Sequence, residues 1–521
     1  MTKKLLSIAA LTALLSTGAS VFDMNTNGDI LASIKKSNKS SYFGGEEANA
    51  SLQLGTARRG DALIYPAFRA DKDWTTTISL RNTRNVAVIA KAVLYAKKDS
   101  HELKDFNLYL SPHDVAKFTI HDGKITSTDD SIAYEVIDPI HQSDKVNFAS
   151  EKKEFSLNID TESGYVIIYG MAEQEETKSG TKSEQDQANN AYHNKHVKLF
   201  QDYRKMLDIC RDNDNNVSTM PSWRNTFNSP QGGYADNRLV LNGSAIGVKV
   251  GAPNVKTTCE DSLVASKKIG ANFISPSSKA MFGEVTMSRG GDDKRSLVLP
   301  ASPLVNYTTD NQMMLWAEGE YAAIQDRRIF AGTGADGFSD YNKSGLKEDA
   351  KTFVVHNAYF TFDKKGNECK NDYAFILTQP MKRPLVMALG STSYWAGVNL
   401  SAGNWGYYTI NEKKPWTERE ESPTANNSFG FVQLNSPLDG KPPKKDDEYS
   451  LELSTFTYSE MLEGADTIGD EDYGFETGDV AGYVDMKLNK NKGIPAIVTE
   501  MSSHDVEGEA QINWFYSATD K

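Results

Sequence analysis

Seven carboxylates fall within 17 residues toward one end of the chain: Glu463, Asp466, Asp470, Glu471, Asp472, Glu476 and Asp479, with no Lys or Arg among them. Such a run repels itself unless water solvates it or a cation bridges it. Hard carboxylate oxygens suit calcium. The stretch reads either as a solvated acidic loop or as a calcium site with Asp466, Asp470, Glu471, Asp472, Glu476 and Asp479 as ligands. A weaker calcium candidate is Asp23, Asn25 and Asn27 followed by Gly28, the first half of a calcium-binding loop. Its twelfth position is Ile34, so the closing carboxylate is missing. Asp212, Asn213, Asp214, Asn215 and Asn216 offer alternating oxygens but fit better as a turn that ends a helix.

Aromatic residues form the second constellation. Trp395, Trp405, Tyr407 and Trp416, with Tyr394 and Tyr408 beside them, lie in a Gly/Asn-rich stretch. On a β surface such rings stack on sugars or fill a protein interface; the alternative is local core packing. His193 and His196 are three residues apart on an expected helix. Metal ligation at that spacing wants a carboxylate partner, and no His-Glu-x-x-His string occurs. A solvated face with one half-buried histidine is the expectation there. Arg59-Gly60-Asp61 is an adhesion tripeptide by letter, short enough to arise by chance. There is no G-x-S-x-G, no P-loop and no dinucleotide-binding glycine motif. Carboxylates abound, and nothing in the sequence ranks one pair above another as a glycosidase acid and base. No catalytic residue is assigned, and the chain is expected not to be an enzyme.

An export signal sets where these groups would act. Lys3 and Lys4 precede an apolar run over 5–15, and Ser16, Thr17, Gly18, Ala19 and Ser20 follow. This is the order of a secretory signal peptide, with cleavage expected after Ala19 or Ser20. The run is about half the ~20 residues that a membrane span needs. The expected location is secreted, at the cell surface or extracellular, with the periplasm as the alternative. In such a compartment cysteines oxidise. Of Cys210, Cys259 and Cys369, the nearer pair, Cys210 and Cys259, is expected to form the disulfide. The net charge of −13 argues against nucleic acid as a partner, because phosphate binding needs a basic face.

The elements that must position these residues read as mainly β. Trp74, Thr76, Ile78 and Leu80 alternate with polar neighbours, which predicts a half-buried strand. The residues 86–95 form a near-continuous apolar run, as a central strand would. Phe106, Leu108 and Leu110 alternate again, and 115–120 and 165–169 add two more strands. The 173–187 stretch is polar and reads as a linker. A 3.6-residue period through 188–210 predicts one amphipathic helix near 186–211, capped by Ser183 or Asp186. Further strands are expected at 239–241, 282–287, 296–299, 313–316 and 329–330. The last third adds 353–362, 373–378, 429–434, 449–458, 484–488, 497–501 and 512–516. The resulting layout is a signal peptide (1–20), an N-terminal arm (21–60) and an N-terminal β-sandwich (61–172). A polar linker and helix (173–212), a middle β-rich region (213–345) and a C-terminal β-sandwich (346–521) follow. The fold class expected is a multidomain array of antiparallel β-sandwiches, Ig-like or jelly-roll-like.

Three stretches carry a resemblance. They are Ala62-Leu63-Ile64-Tyr65-Pro66-Ala67-Phe68 with Trp74-Thr75-Thr76-Thr77-Ile78-Ser79-Leu80-Arg81-Asn82-Thr83; Asn306-Tyr307-Thr308 with Met313-Met314-Leu315-Trp316; and Ile494-Pro495-Ala496-Ile497 with Ile512-Asn513-Trp514-Phe515-Tyr516. Together they resemble large secreted β-sandwich proteins of bacterial cell surfaces, some of them surface-layer-like. The resemblance implies a surface location and carries over no catalytic residue. The leading expectation is a non-enzymatic structural protein that self-associates into a layer or fibre, with calcium as its cofactor. The alternative is a secreted adhesin that binds envelope glycans or another surface. A secreted hydrolase is the third reading.

Overall fold

The computed structural model describes residues 52–135, 146–148, 155–176, 191–211, 270–290 and 295–307, apart from short gaps, together with single positions in 313–324. Toward the C-terminus it describes 347–363, 372–382, 408–417, 448–449, 453–457, 481–488, 493–506 and 509–513.

Strands in the first part are β1 (Gln53–Leu54), β2 (Ala62–Arg69), β3 (Trp74–Asn82), β4 (Val88–Ala96) and β5 (Glu102–Leu110). They continue with β6 (Val115–His121), β7 (Lys124–Ser127), β8 (Ile132–Glu135), β9 (Val146–Phe148), β10 (Phe155–Asn158) and β11 (Ser163–Gln174). Helix α1 (His196–Arg211) precedes β12 (Phe273–Ile274), β13 (Met281–Arg289), β14 (Arg295–Pro300) and β15 (Ser302–Val305). Two antiparallel sheets result. The larger runs β1-β15-β2-β11-β4-β5-β8-β9, with β12 also on β11, and the smaller runs β10-β7-β6-β3-β13-β14. The mainly β, sandwich-like architecture is therefore present.

Period two explains the packing. In β4, Val88, Ala90, Ala92, Leu94 and Ala96 enter the core shared by the two sheets, as do Phe106, Leu108 and Leu110 of β5 and Val166 and Ile168 of β11. The smaller sheet answers with Ile78, Leu80, Phe118, Ile120, Val285, Met287 and Leu299. Phe106 meets Phe118 and Phe155 edge-on, at 5.0 and 5.1 Å between ring centres. β6 alternates exposed and buried positions because its sheet has one solvated face. β4 is buried throughout because its sheet is covered on both sides. Asp122 and Gly123, both at positive φ, join β6 to β7 in the two-residue turn that matches strand twist. Tyr65 of β2 crosses the core to donate to the Ser79 carbonyl at 3.0 Å. It lies over Gly283 of β13, where a Cβ would sit 2.0 Å from its hydroxyl oxygen.

The C-terminal strands are β16 (Val354–Val355), β17 (Asn357–Asp363), β18 (Asp372–Thr378), β19 (Tyr408–Thr417) and β20 (Glu448–Tyr449). They end with β21 (Leu453–Thr457), β22 (Ala481–Leu488), β23 (Ile494–Pro495), β24 (Ile497–Val506) and β25 (Glu509–Asn513). They pair as β16-β23, β17-β22-β19-β20 and β21-β18-β24-β25. This part shares the first part's interior. Ile376 and Leu453 join its core, the Thr378 hydroxyl donates to the Pro66 carbonyl at 2.6 Å, and Leu453 N donates to the Lys97 carbonyl at 3.1 Å.

Three local expectations change. The helix starts at His196 rather than near 186. Residues 191–194 form a turn in which Asn194 adopts φ 50° and Lys195 N bonds the Tyr192 carbonyl. Glu173 and Gln174 belong to β11 rather than to a linker, because β12 and β4 pair with them there. Met313, Leu315 and Trp316 are buried but not in a strand. Their apolar character serves an irregular segment packed under α1.

Candidate functional site

The outward face of the larger sheet holds a concentration of buried polar groups. β4 and β5 face one another in antiparallel register, which sets Lys91 directly opposite Asn107. Asp105 and Tyr109 flank Asn107 at period two, so all three project to the side away from the sandwich core. Lys91 Nζ lies 2.5 Å from Asp105 Oδ1 and 3.5 Å from Asn107 Oδ1. The two charged side chains are 0% and 5% exposed. Asn107 Nδ2 donates to the Trp316 carbonyl at 3.1 Å and reaches Tyr109 Oη at 3.4 Å. Tyr109 donates in turn to Glu318, whose other oxygen pairs with Arg204 of α1 at 3.0 Å. Burial, and then the negative charge of Glu318, hold the Tyr109 hydroxyl protonated far into the basic range.

Helix α1 and the irregular segment around Trp316 form the cover. Phe200 and Tyr203 of α1 meet Tyr109 edge-on at 5.3 and 5.8 Å. The Tyr203 hydroxyl donates to the Trp316 carbonyl at 3.0 Å and accepts from Trp316 N at 3.1 Å. Peptide groups of a non-strand segment are thus satisfied inside the protein, as burial requires. Further along the face, Tyr95 donates to the Ala322 carbonyl at 2.6 Å and its oxygen lies 2.8 Å from the Tyr169 hydroxyl. Tyr169 packs against Tyr307 at 5.0 Å and Trp316 at 6.0 Å.

The first residue of α1 anchors the cover at one end. His196 Nε2 lies 2.7 Å from Asp114 Oδ2 in the β5–β6 turn, and Nδ1 lies 3.1 Å from Asp130 Oδ1 in the β7–β8 turn. A neutral imidazole has one N–H donor, so bonding two carboxylates calls for the charged ring. Burial alone would push the His196 pKa down. The hydrogen bond and charge of Asp114, then those of Asp130, outweigh burial and raise it. Asp114 moves the other way: burial opposes its charge, but His196 and the N–H groups of Ser111 and Val115 prevail and lower its pKa. What this assembly does chemically is hold layers together through directional, partly charged hydrogen bonds.

Most residues singled out from the sequence lie elsewhere. Asp466, Asp470, Glu471, Asp472, Glu476 and Asp479 fall outside the described residues, as do Asp23, Asn25, Asn27, Trp395, Trp405, Tyr407, Cys259 and Cys369. So do Asp212–Asn216 by number, 212–216. Cys210 is on the last turn of α1, and Trp416 is on β19 opposite Tyr483 of β22. His193 is exposed in the turn before α1, so the two histidines do not share a helix face, and His196, the first residue of α1, is half-buried. The Arg59-Gly60-Asp61 tripeptide is not displayed: Asp61 is 2% exposed, and Gly60 exchanges backbone hydrogen bonds with Met281. Among the described residues, no three His, Cys, Asp or Glu side chains are placed to hold a metal ion. Among them, no helix is long and apolar enough to cross a membrane.

Sequence reasoning passed over Lys91, Asp105, Asn107, Tyr109 and Glu318. The available signal was a lone lysine inside the apolar run Val88-Ile89-Ala90-Lys91-Ala92-Val93-Leu94, matched by polar residues alternating with Phe106, Leu108 and Leu110. No protein-family model, curated protein or solved structure matches the chain.

Proposed function

We propose that this is a non-enzymatic structural protein of a bacterial cell surface, exported and self-associating into a layer or fibre. The observation that carries the reading is how the described ionisable groups of the interior are used. Lys91–Asp105, Tyr109–Glu318–Arg204 and His196 with its two aspartates each fasten one element to another. Buried charge costs free energy unless it is paired, and pairs that join one element to another favour a single rigid arrangement. The export signal and the resemblance of the three quoted stretches supply the location. Calcium, taken by the 466–479 carboxylates, is the cation this reading assigns to assembly.

Electron microscopy of the native surface, with and without the protein, tests it together with sedimentation of the purified chain in calcium and in chelator. An ordered array that disappears with the protein, and particles that disperse in chelator, are expected. A chain that stays monomeric at high concentration in calcium would refute self-association. Glycan binding by that monomer would move the assignment to an adhesin.

A further inference from the structure

We propose that Lys91 and Asn107 become joined through their side chains by an amide bond that forms within the folded chain, with Asp105 carrying the protons. This is a self-modification site, and it stands whether or not the protein assembles on a surface. Three observations bring it together. The two residues are cross-strand partners on one face, so neither strand has to move for them to meet. Lys91 Nζ already lies 3.5 Å from Asn107 Oδ1, the oxygen bonded to the carbon it would attack, so the two groups are held together before reaction. The site is sealed: Lys91 and Asn107 are fully buried and the Asp105 side chain nearly so, beneath Trp316 and α1.

The orientation of the carboxamide matters. Asn107 Nδ2 points at two acceptors, the Trp316 carbonyl and the Tyr109 oxygen, whose own proton is committed to Glu318. That leaves Oδ1, and the carbonyl carbon behind it, turned to Lys91. A plain ion pair would need only Asp105. The carboxamide beside the amine is what a condensation needs in addition.

The reaction balances with the groups present. A proton passes from Lys91 Nζ to the Asp105 carboxylate along their 2.5 Å contact, leaving a neutral amine and a neutral acid. The Nζ lone pair attacks Asn107 Cγ, and Asp105 gives its proton to Oδ1 as the tetrahedral centre forms. Asp105 then takes a proton from Nζ and passes one to Nδ2, acting as base and acid in turn. The Cγ–Nδ2 bond breaks, ammonia leaves, and Asp105 recovers the hydroxyl proton as the carbonyl re-forms. One C–N bond is made and one broken. Nothing is oxidised or reduced, and ammonia, protonated in water, is the sole by-product.

Peptide mapping of the full-length folded protein, denatured and digested with trypsin, decides the matter by mass spectrometry. The expected result is one linked species containing Lys91 and Asn107, lighter than the sum of its two peptides by one ammonia, with no cleavage after Lys91. Asp105→Ala should give two separate peptides of full mass. Glu318→Gln, which leaves the three reacting groups in place, should retain the link. Separate unmodified peptides from wild-type protein aged at neutral pH would overturn the proposal, and that measurement needs no variant to fold. Ammonia loss at Asn107 without a link to Lys91 would overturn it equally, since it would report cyclisation of the asparagine alone.

Discussion

The two faces of the larger sheet are built from the same strands, yet only one of them concentrates buried polar groups. Its inner face presents Ala90, Ala92, Leu94, Phe106, Leu108, Val166 and Ile168 to the other sheet. Its outer face, one residue out of step, presents Lys91, Asp105, Asn107, Tyr109, Tyr95 and Tyr169 to α1 and the irregular segment. Apolar cohesion is non-directional and scales with area, so the inner face tolerates reshaping as long as volume is kept. The outer face depends on particular atoms at particular distances, and an unmatched partner there is left buried and unpaid by water. One sheet thus carries a general glue on one side and a specific lock on the other.

Damage to the inner face should cost the most. Phe106→Ala removes a ring that touches Phe118 and Phe155, and should destabilise by about 3–5 kcal/mol in denaturant unfolding. A loss below 1 kcal/mol would mean that the two sheets do not share this core. On the outer face, Tyr109→Phe keeps the ring and deletes the bond to Glu318. The expected cost is about 1.5–3 kcal/mol, as for hydrogen bonds to charged groups. A double-mutant cycle with Glu318→Gln should show coupling, and strict additivity would argue that the two groups do not meet. Gly283→Ala probes the inner face from the smaller sheet. Its Cβ would collide with Tyr65 Oη and force that ring off the Ser79 carbonyl, for a cost of about 1–3 kcal/mol. Tyr65→Phe in the same chain should not relieve it fully, because the ring carbons beneath are also within 3.0 Å.

The smallest effect is the one that responds to pH. The His196 pKa is raised on folding, so its contribution is complete below the ordinary histidine range, near pH 6.5, and is lost as pH rises through the raised value. The Asp114 pKa is lowered, so its contribution is present above the ordinary carboxylate range and is lost as pH falls through the lowered value. The anchor is therefore strongest between those limits and weakens at alkaline pH by about 1 kcal/mol. Asp130, 63% exposed, adds little because water screens it. Urea titrations across pH should show wild type losing stability relative to His196→Gln as pH rises. Parallel curves for the two proteins would remove the charged ring from the account.

Much of the inner face was legible from the sequence, and the reason is physical. Alternation in 74–80 and in Phe106, Leu108 and Leu110, and the apolar run at 86–95, record which side of each strand meets the core. The amphipathic period of α1 is visible for the same reason. The outer lock was not legible, because its partners come from distant places: Asn107 meets Trp316 and Tyr109 meets Glu318 across 209 positions. A lone lysine in an apolar run signals something, but not its partner. The start of α1 was missed because Asn194 turns the chain against a helical period that continues upstream. The segment at 313–316 looked like a strand because it is apolar, when its burial is answered by the Tyr203 hydroxyl rather than by a ladder. The acidic and aromatic stretches at 466–479 and 395–407 were read from composition and lie outside the described residues.

The order of the strands also has a consequence in time. β3 takes its second neighbour from β13, beginning with Met281 opposite Asn82, and β2 takes one of its own from β15. Those partners are encoded about 200 residues later. At a synthesis rate of about 5–20 residues per second, β3 waits roughly 10–40 s with one edge bare. A bare edge is a template for any passing strand, including that of a neighbouring nascent chain. Chains arrested near residue 270 should therefore cross-pair or recruit strand-shielding chaperones, and chains released beyond residue 305 should not. The interval between those two lengths is a period of vulnerability written into the topology, and crowding on a polysome would lengthen its reach from one chain to its neighbours.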